Sequence, residues 1–329
     1  MPTYRKNLGS SGRRKGMDEK RLKVALVAGG RSGEREVSLM GAAGVEKSLD
    51  PEKYDVTRYD PLTDLAKIAA NKDNIDFAFL LLHGLWGEDG TIQGFFDLLD
   101  IPYQGSGVLG SAVAMDKNLA KKLYQLNNLP VAAWQVIDSK STDTPDEIAA
   151  ALGLPLVVKP VSEGSSLGMT IAHNIAELGV GITKGLKHGS RVMVERFVKG
   201  REITVGVIGN DSVDPLPLIE IIPGKDFAFF DYKAKYEPGA TMEICPAEVD
   251  EEVTEKAQLY GVAAHKALQL RGYSRTDMIL SQENELFVLE TNTIPGMTPT
   301  SLYPQAAAEY GLDFPMLLER LIELGLEGR

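Results

Sequence analysis

The sequence predicts a mixed α/β fold built from three units, and two observations lead to this prediction. Between Lys23 and His83, short β-rich runs alternate with helical patterns, and the third run, Asp76 to His83, is almost wholly apolar. A strand that is apolar at nearly every position is buried on both faces, so the alternation indicates a parallel sheet covered by helices. Farther along the chain, strands return across short loops, which indicates hairpins.

The first unit begins with a strand from Lys23 to Ala28, and further strands and helices follow in order. The pair Glu202 to Ile208 and Leu216 to Ile222 is expected to form part of the last unit. The remaining segments are predicted at Val37 to Leu49 (helix), Tyr54 to Tyr59 (strand), Leu65 to Ala70 (helix), Met115 to Asn127 (helix), Leu154 to Lys159 (strand), Met169 to Ala172 (strand), Ile175 to Lys187 (helix), Arg191 to Phe197 (strand) and Glu251 to Arg271 (helix).

The three units are expected over residues 17–106, 107–194 and 195–329, because Gly105-Ser106-Gly107 marks a break after the first. Residues 1–16 are basic, contain Gly and Ser and lack an apolar core, so they do not form a secretory signal. We interpret them as a disordered leader, with a transit peptide as the alternative.

Composition excludes several classes of protein. The net charge of −11 argues against a nucleic-acid binder, which normally presents a basic face. The single cysteine, Cys245, excludes an internal disulfide and a cysteine-rich zinc site, and it fits a reducing compartment. No apolar run approaches the length of a membrane span. We therefore expect a cytoplasmic protein that binds neither nucleic acid nor membranes.

An acidic hairpin near the C-terminus carries the strongest chemical signal. Glu290 and Asn292 lie two residues apart on an apolar strand and therefore share one face. The run Arg275 to Leu280 reads as the partner strand, which places Asp277 roughly opposite Glu290. Two carboxylates and an amide oxygen suit Mg²⁺ and the phosphates it carries. The alternative is an ordinary surface strand with solvated acids.

A loop from Glu163 to Gly168 lies between two strands, with Lys159 near the end of the first. Glycines let backbone N–H groups approach a phosphate, and hydroxyl groups add donors. The loop is not a Walker A loop, because no Gly-Lys-Ser/Thr follows and no helix begins there. A phosphate-binding loop and a plain hairpin turn both fit this pattern.

Two polar residues follow strands of the first unit, where α/β sheets bind ligands. Glu34 directly follows the glycine-rich stretch Gly29 to Gly33 and is a candidate for holding a cationic group of a substrate. His83 ends the third strand, although a single histidine is more often structural. Farther along, Glu195 and Glu202 flank a turn and either lie in solvent or contact the base and ribose of a nucleotide.

A segment rich in aromatic residues, 225–239, is flanked by glycines and reads as a lid. Lys233, Lys235 and Tyr236 within it could close over phosphates and exclude water, with packing as the alternative for Tyr236.

Taken in order, these motifs resemble those of the D-alanine–D-alanine ligase family of ATP-grasp ligases, over about residues 21 to 325. The resemblance implies the ATP-grasp fold, with a Rossmann-like parallel sheet in an N-terminal substrate domain, a central lid domain and a C-terminal catalytic domain. The motifs that carry it are Gly29 through Ser38, His83-Gly84 with Gly87 through Gly90, Met115-Asp116-Lys117, Glu163 through Ser166, Ala234-Lys235-Tyr236 and Glu290 through Met297.

The resemblance implies roles for individual residues at the nucleotide. Lys117, Lys159 and Lys235 would bind the phosphates of ATP, with Ser165 and Ser166 in the adjacent loop. Glu195 and Glu202 would hold adenine and ribose, and Phe197 would lie against the base. Asp277, Glu290 and Asn292 would ligate two Mg²⁺ ions, for which Mn²⁺ could substitute.

The resemblance also implies roles at two D-alanine molecules. Glu34 would bind the ammonium of the first, with His83 near its carboxylate, and Ser165 and Tyr236 would complete a hydrogen-bonded set with Glu34. Arg275 and the Gly296 N–H would stabilise the oxyanion. The carboxylate of the second D-alanine would be held by Ser301, with Leu302 beside it.

The implied reaction joins two D-alanines through an acyl phosphate, with ADP and phosphate as products, for peptidoglycan synthesis by a homodimer. Lys235-Tyr236 favours an amine as the second nucleophile. The alternatives are a ligase that uses D-lactate or D-serine, or a non-catalytic nucleotide-binding relative. Three positions depart from the family pattern: Phe230 replaces tyrosine, Thr276 an aliphatic residue and Ile294 a serine.

Overall fold

The computed structural model describes residues 21–164, 167–224 and 241–327. Its N-terminal sheet has three parallel strands in the order β2-β1-β3, so that Val24 pairs with Val56 on one side and Phe77 on the other. The third strand is buried at every position, which confirms the prediction of a buried parallel sheet. The elements are β1 (Leu22–Ala28), α1 (Arg35–Ser48), β2 (Tyr54–Tyr59), α2 (Leu65–Ala70), a 3-10 turn (Lys72–Asn74), β3 (Phe77–Leu81), α3 (Thr91–Leu99) and α4 (Val108–Met115).

A four-stranded antiparallel sheet, β4-β7-β5-β6, forms the centre of the chain. The strands β5 and β6 form a hairpin, and their connection contains the loop that was predicted to approach a phosphate. The elements are α5 (Lys117–Leu126), β4 (Trp134–Asp138), α6 (Pro145–Leu152), β5 (Leu156–Pro160), β6 (Thr170–Ala172), α7 (Ile175–Gly185) and β7 (Arg191–Arg196).

A larger antiparallel sheet contains the acidic hairpin. Its strands lie in the order β11-β10-β8-β12-β13, and β9 pairs with β8 off this path. The elements are β8 (Gly200–Gly209), β9 (Asp214–Pro215), β10 (Ile219–Pro223), β11 (Thr241–Ile244), α8 (Glu251–Ala267), β12 (Gly272–Ser281), β13 (Leu286–Asn292), α9 (Leu302–Tyr310) and α10 (Phe314–Leu326).

One predicted helix boundary needs correction. The helix predicted from Met115 begins at Lys117, because Asp116 leaves helical geometry and caps α5 by accepting hydrogen bonds from the N–H groups of Asn118 and Leu119 at 3.0 and 2.9 Å, and Met115 ends the preceding helix α4. The strand β7 continues to Arg196 before the chain crosses to β8, and the unit boundary expected between residues 194 and 195 stays a prediction.

The hydrophobic core joins the first unit to the end of the chain. One cluster of buried side chains contains Leu26 and Phe79 of the parallel sheet together with Tyr303 of α9 and Leu321 of α10. This packing fixes the carboxyl edge of the parallel sheet next to the loop after β13. Among the described residues, no helix has both the length and the apolar character that crossing a membrane requires.

Candidate active site

A cleft between the central sheet and the large sheet brings together most of the residues predicted to bind a nucleotide. One side of the cleft is formed by β12 and β13, and the opposite side by β5, β6 and β7. The charged and aromatic residues that line it include Lys117, Lys159, Glu163, Glu195, Phe197, Glu202, Asp277 and Glu290. Residues from four separate predicted motifs therefore meet at one cavity.

The acidic hairpin has the predicted register. Asp277 on β12 lies directly opposite Glu290 on β13, and Arg275 lies opposite Asn292. These four residues share one face of the hairpin, because they alternate with Thr276 and Thr291 along the two strands. The expectation that Asp277 faces Glu290 is confirmed.

Asp277 accepts four hydrogen bonds from neighbouring side chains. Its Oδ1 accepts hydrogen bonds from Arg275 Nε at 2.8 Å and from Thr204 Oγ1 at 2.6 Å. Its Oδ2 accepts from Arg275 Nη2 at 2.8 Å and from Asn292 Nδ2 at 3.1 Å. The two parallel bonds from Arg275 fix both side chains, because bidentate pairs of this kind restrict rotation.

The chemistry of this donor set fits a hard divalent cation. Asp277 and Glu290 supply carboxylate oxygens, and Asn292 supplies an amide oxygen. Within the described residues, no group of three or more His, Cys, Asp or Glu side chains could hold a metal by itself. A cation here would therefore need further oxygens from a ligand, which is how Mg²⁺ is usually held beside phosphates.

Lys117 is the first residue of α5 and directly follows the N-cap residue Asp116. Asp116 also accepts a hydrogen bond from Arg191 Nη2 at 2.7 Å, which ties the helix start to β7. Lys117 Nζ donates to the backbone oxygen of Glu163 at 2.7 Å and lies 3.3 Å from Glu290 Oε2. The ammonium group thus connects the predicted phosphate loop to the acidic hairpin.

Glu195 lies between two lysines. Its Oε1 is 2.6 Å from Lys159 Nζ, and its Oε2 is 2.5 Å from Lys121 Nζ. Burial by itself would raise the pKa of this carboxyl, but the charges and hydrogen bonds of the two lysines lower it to about 2. The carboxylate predicted to contact adenine is therefore engaged by Lys121 and Lys159. Sequence reasoning missed Lys121.

At the other end of the site, Glu34 lies against two glycines. A β-carbon built on Gly164 would be 3.0 Å from Glu34 Oε2, and one built on Gly84 would be 3.5 Å away. The carboxylate therefore packs between the predicted phosphate loop and the turn after β3. Burial lowers the pKa of the neighbouring His83, and the charge of Glu34 opposes that shift.

Glu88 links two distant parts of the site, and sequence reasoning gave it no role. Its Oε2 accepts a hydrogen bond from Gly84 N at 2.8 Å, and its Oε1 accepts from Ile294 N at 3.1 Å. Burial, followed by the nearby charge of Glu34, raises its pKa to about 7. The only signal in the sequence was the run Gly87 to Gly90, which contributed to the family resemblance.

The loop after β13 places the three residues that were predicted near the second amino acid. A β-carbon on Gly296 would lie 3.1 Å from Ser301 Oγ, so these two positions are adjacent. Ser301 Oγ also accepts a hydrogen bond from Thr298 N at 3.1 Å. The side chain of Leu302 is buried in the core, so any contact with a substrate would have to come from its backbone at the start of α9.

Two departures from the family pattern are accommodated by packing. Thr276 Oγ1 lies 3.0 Å from Thr291 Oγ1, and that oxygen accepts a hydrogen bond from the Tyr124 hydroxyl at 2.7 Å. Ile294 is buried in the apolar cluster of the N-terminal sheet. The leader 1–16, the lid 225–239 with Phe230, Lys233, Lys235 and Tyr236, and the loop residues Ser165 and Ser166 lie outside the described residues.

Comparisons with known proteins agree with this architecture. Family models described as D-ala D-ala ligase N-terminus and D-ala D-ala ligase C-terminus match residues 61–106 and 123–323. A D-alanine–D-alanine ligase of Desulfotalea psychrophila is 59% identical over 308 residues, covering 93% of this chain and 96% of the relative. One of Syntrophobacter fumaroxidans is 56% identical, covering 94% of this chain and 100% of the relative.

Solved structures give the same result. The D-alanine–D-alanine ligase of Bacillus anthracis, complexed with ATP, superposes with a TM-score of 0.81 at 33% identity, covering 93% of this chain and 97% of that one. The VanG D-Ala:D-Ser ligase of Enterococcus faecalis gives 0.82 at 32% identity, covering 93% and 100%. The chain therefore belongs to the D-alanine–D-alanine ligase family of ATP-grasp enzymes.

Proposed function

We propose that this chain is an ATP-dependent ligase that joins two D-alanines into D-alanyl-D-alanine and releases ADP and phosphate. The observation that carries the proposal is the cleft in which Lys117 and Lys159 face the paired carboxylates Asp277 and Glu290. Lysines beside oxygen ligands for a divalent cation are what the transfer of a phosphoryl group requires. The relatives' names supply the substrate, D-alanine.

The phosphates of ATP are expected near Lys117 and Lys159, with adenine and ribose toward Phe197 and Glu202. Lys117 reaches both the loop oxygen of Glu163 and the carboxylate of Glu290, so a phosphate placed between them would meet its ammonium group. Two lysines would then offset the negative charge of the triphosphate. Mg²⁺, held by Asp277, Glu290 and Asn292, would neutralise charge on the transferred phosphoryl group.

The first step forms a bond between a carboxylate oxygen of D-alanine and the γ-phosphorus, and it breaks the bond to ADP. Glu34 would hold the ammonium group of that D-alanine, and His83 would lie near its carboxylate. Both residues lie at the carboxyl edge of the parallel sheet, next to Gly164 of the predicted phosphate loop. This placement puts the amino acid beside the phosphate end of the nucleotide cleft.

In the second step, the amino group of another D-alanine attacks the acyl carbon, and the tetrahedral anion expels phosphate. Arg275 and the Gly296 N–H would stabilise that anion, and Ser301 would hold the incoming carboxylate. Arg275 is fixed by its two bonds to Asp277, so its charge is already in position before the reaction. A preorganised donor of this kind typically lowers the activation free energy by about 3 kcal/mol.

The proposal also covers cellular role and assembly. The dipeptide would enter peptidoglycan precursors, the enzyme would work in the cytoplasm with its ATP supply, and it would form a homodimer. We retain the three domains expected from the sequence.

The test is Mg²⁺-dependent phosphate release from ATP, with D-alanine in one sample and L-alanine in another. The proposal predicts release with D-alanine alone and an equal amount of dipeptide by mass spectrometry. Parallel samples with D-serine or D-lactate as the acceptor would reveal a related ligase. No release with D-alanine, D-serine or D-lactate would contradict the proposal.

A further inference from the structure

A buried charge cluster lies at the inner wall of the nucleotide cleft. Glu195 on β7 forms an ion pair through one oxygen with Lys159 of β5 and through the other with Lys121 of α5, at 2.6 and 2.5 Å. The Lys121 side chain has 0% of its area exposed, and the Glu195 side chain has 4%. Buried charges at this level persist only when they are paired, so the three groups form one unit.

Lys121 is separated from the cleft by the groups that it holds. Lys159 and Glu195 line the cleft, and Lys121 is not among the described residues that do. Lys121 lies one helical turn after Lys117, with its Nζ 3.3 Å from the Ala132 oxygen and 5.2 Å from the centre of the Trp134 ring. It therefore acts on a ligand in the cleft through residues that it contacts, and of these Glu195 carries the charge.

The charges of the cluster do not cancel. Two ammonium groups and one carboxylate leave one net positive charge, and Lys159 carries the ammonium that faces the cleft. Without Lys121, Lys159 and Glu195 would form a neutral pair, and the carboxylate would hold the ammonium away from a phosphate. With Lys121 present, Glu195 keeps one cationic partner when the Lys159 ammonium pairs with a phosphate.

We propose that Lys121 is a positioning residue that compensates the charge of Glu195, so that Lys159 presents its full positive charge to the phosphates of the nucleotide. The inference rests on the proposed function, which places ATP in this cleft. It predicts that Lys121 sets affinity for the phosphates and leaves affinity for the nucleoside unchanged.

The experiment measures dissociation constants of the full chain for adenosine, AMP, ADP and ATP by calorimetry, with no amino acid present. In Lys121→Met, binding of ADP and ATP should weaken roughly tenfold, which is the loss of about one charge interaction at intermediate dielectric, while adenosine should stay within about twofold. The matched control is Lys122→Met, because Lys122 is exposed on the same helix. All four constants of that control should stay within about twofold.

Two results would overturn the inference. Unchanged ADP binding in Lys121→Met would show that Lys159 does not depend on Lys121. An equal loss for adenosine and ADP would show that Lys121 only supports the fold of the cleft. If the wild-type chain binds none of the four ligands, the proposed function fails instead, and the two failures are thereby distinguished.

A second variant keeps the test decisive if Lys121→Met does not fold. Lys121→Gln removes the cation and keeps an N–H donor that can reach Glu195, so the position retains a hydrogen-bonding group. The ratio of the adenosine constant to the ADP constant should fall about tenfold below the wild-type ratio. An unchanged ratio would contradict the proposal.

Discussion

The nucleotide end and the amino-acid end of the site are held together by different kinds of contact. At the nucleotide end, charged side chains pair with one another, as in the Lys117–Glu290 and Arg275–Asp277 contacts at 3.3 and 2.8 Å. At the amino-acid end, the Glu88 carboxylate accepts hydrogen bonds from two backbone N–H groups, one of which belongs to a residue 206 positions away.

Because the contacts differ, substitutions at the two ends should affect different steps of binding. The carboxylates of the nucleotide end are paired with lysine and arginine side chains, so their charges are compensated within the protein. The amino-acid end is shaped by backbone groups of the two loops that Glu88 joins. Substitutions at the first end should therefore change binding of phosphate and metal, and substitutions at the second should change the use of D-alanine.

The largest effect is expected for Asp277→Asn. This change removes a charge from the predicted metal site and from the bidentate pair with Arg275, so Mg²⁺-dependent turnover should fall about 1000-fold. The turnover rate is measured as phosphate release at saturating ATP and D-alanine, and thermal melting checks that the variant folds. Glu285→Gln, in the exposed turn of the same hairpin, is the matched control. Near-normal rates for Asp277→Asn would refute the metal assignment.

His265 belongs to neither end of the site, so its substitution tests the stability of the fold. His265 is buried with its Nδ1 2.8 Å from Ser274 Oγ, and burial lowers its pKa to about 4. In the unfolded chain the ring takes up a proton below about pH 6.5, and in the folded chain only near pH 4. Stability therefore falls as pH drops through this window, by up to about 3 kcal/mol.

Urea unfolding between pH 7 and pH 4 measures that loss. In His265→Gln the pH dependence over this window should be shallower by about 3 kcal/mol, whereas His173→Gln, at an exposed histidine, should leave it unchanged. Parallel curves for wild type and His265→Gln would remove the assignment.

Glu88 provides the direct test of the amino-acid end. Glu88→Ala leaves the N–H groups of Gly84 and Ile294 without their acceptor, so turnover of D-alanine should fall about 30-fold while ADP binding stays within about twofold. Glu88→Gln keeps one acceptor oxygen and replaces the other with an N–H donor, so its loss of turnover should lie between wild type and Glu88→Ala. Weaker ADP binding in Glu88→Ala would mean that the two ends are not separable.

The smallest effect is expected for Ser301→Ala. Its hydroxyl lies next to Gly296 and is predicted to bind the carboxylate of the second D-alanine, so KM for the acceptor should rise about tenfold with kcat little changed. Steady-state kinetics over a range of D-alanine concentrations measure it, with Thr300→Ala, at an exposed neighbour, as the control. An unchanged KM would remove Ser301 from the acceptor site.

The sequence was most informative where local periodicity determines geometry. The alternation of side chains along a strand placed Glu290 and Asn292 on one face, and the short turn after Leu280 set Asp277 opposite Glu290. The buried third strand of the parallel sheet was predicted for the same reason, since its apolar run has no polar alternation.

What the sequence did not reveal depends on contacts between distant segments. Lys121 looks like an ordinary lysine beside Lys122 on an amphipathic helix, and only the packing of α5 against Trp134 and the central sheet shows it to be buried. Glu88 bonds to backbone N–H groups, which every residue carries, so no residue type at position 294 could have indicated its partner.

The central claim is that the carboxylate of D-alanine meets the terminal phosphate at the Asp277–Glu290 end of the cleft. The most direct measurement is the identity of the nucleotide product formed during ligation, resolved by chromatography and compared with the amount of dipeptide. The account predicts ADP and phosphate, each equal to the dipeptide produced. AMP and pyrophosphate would contradict it, because the attack would then fall on the phosphate next to the ribose.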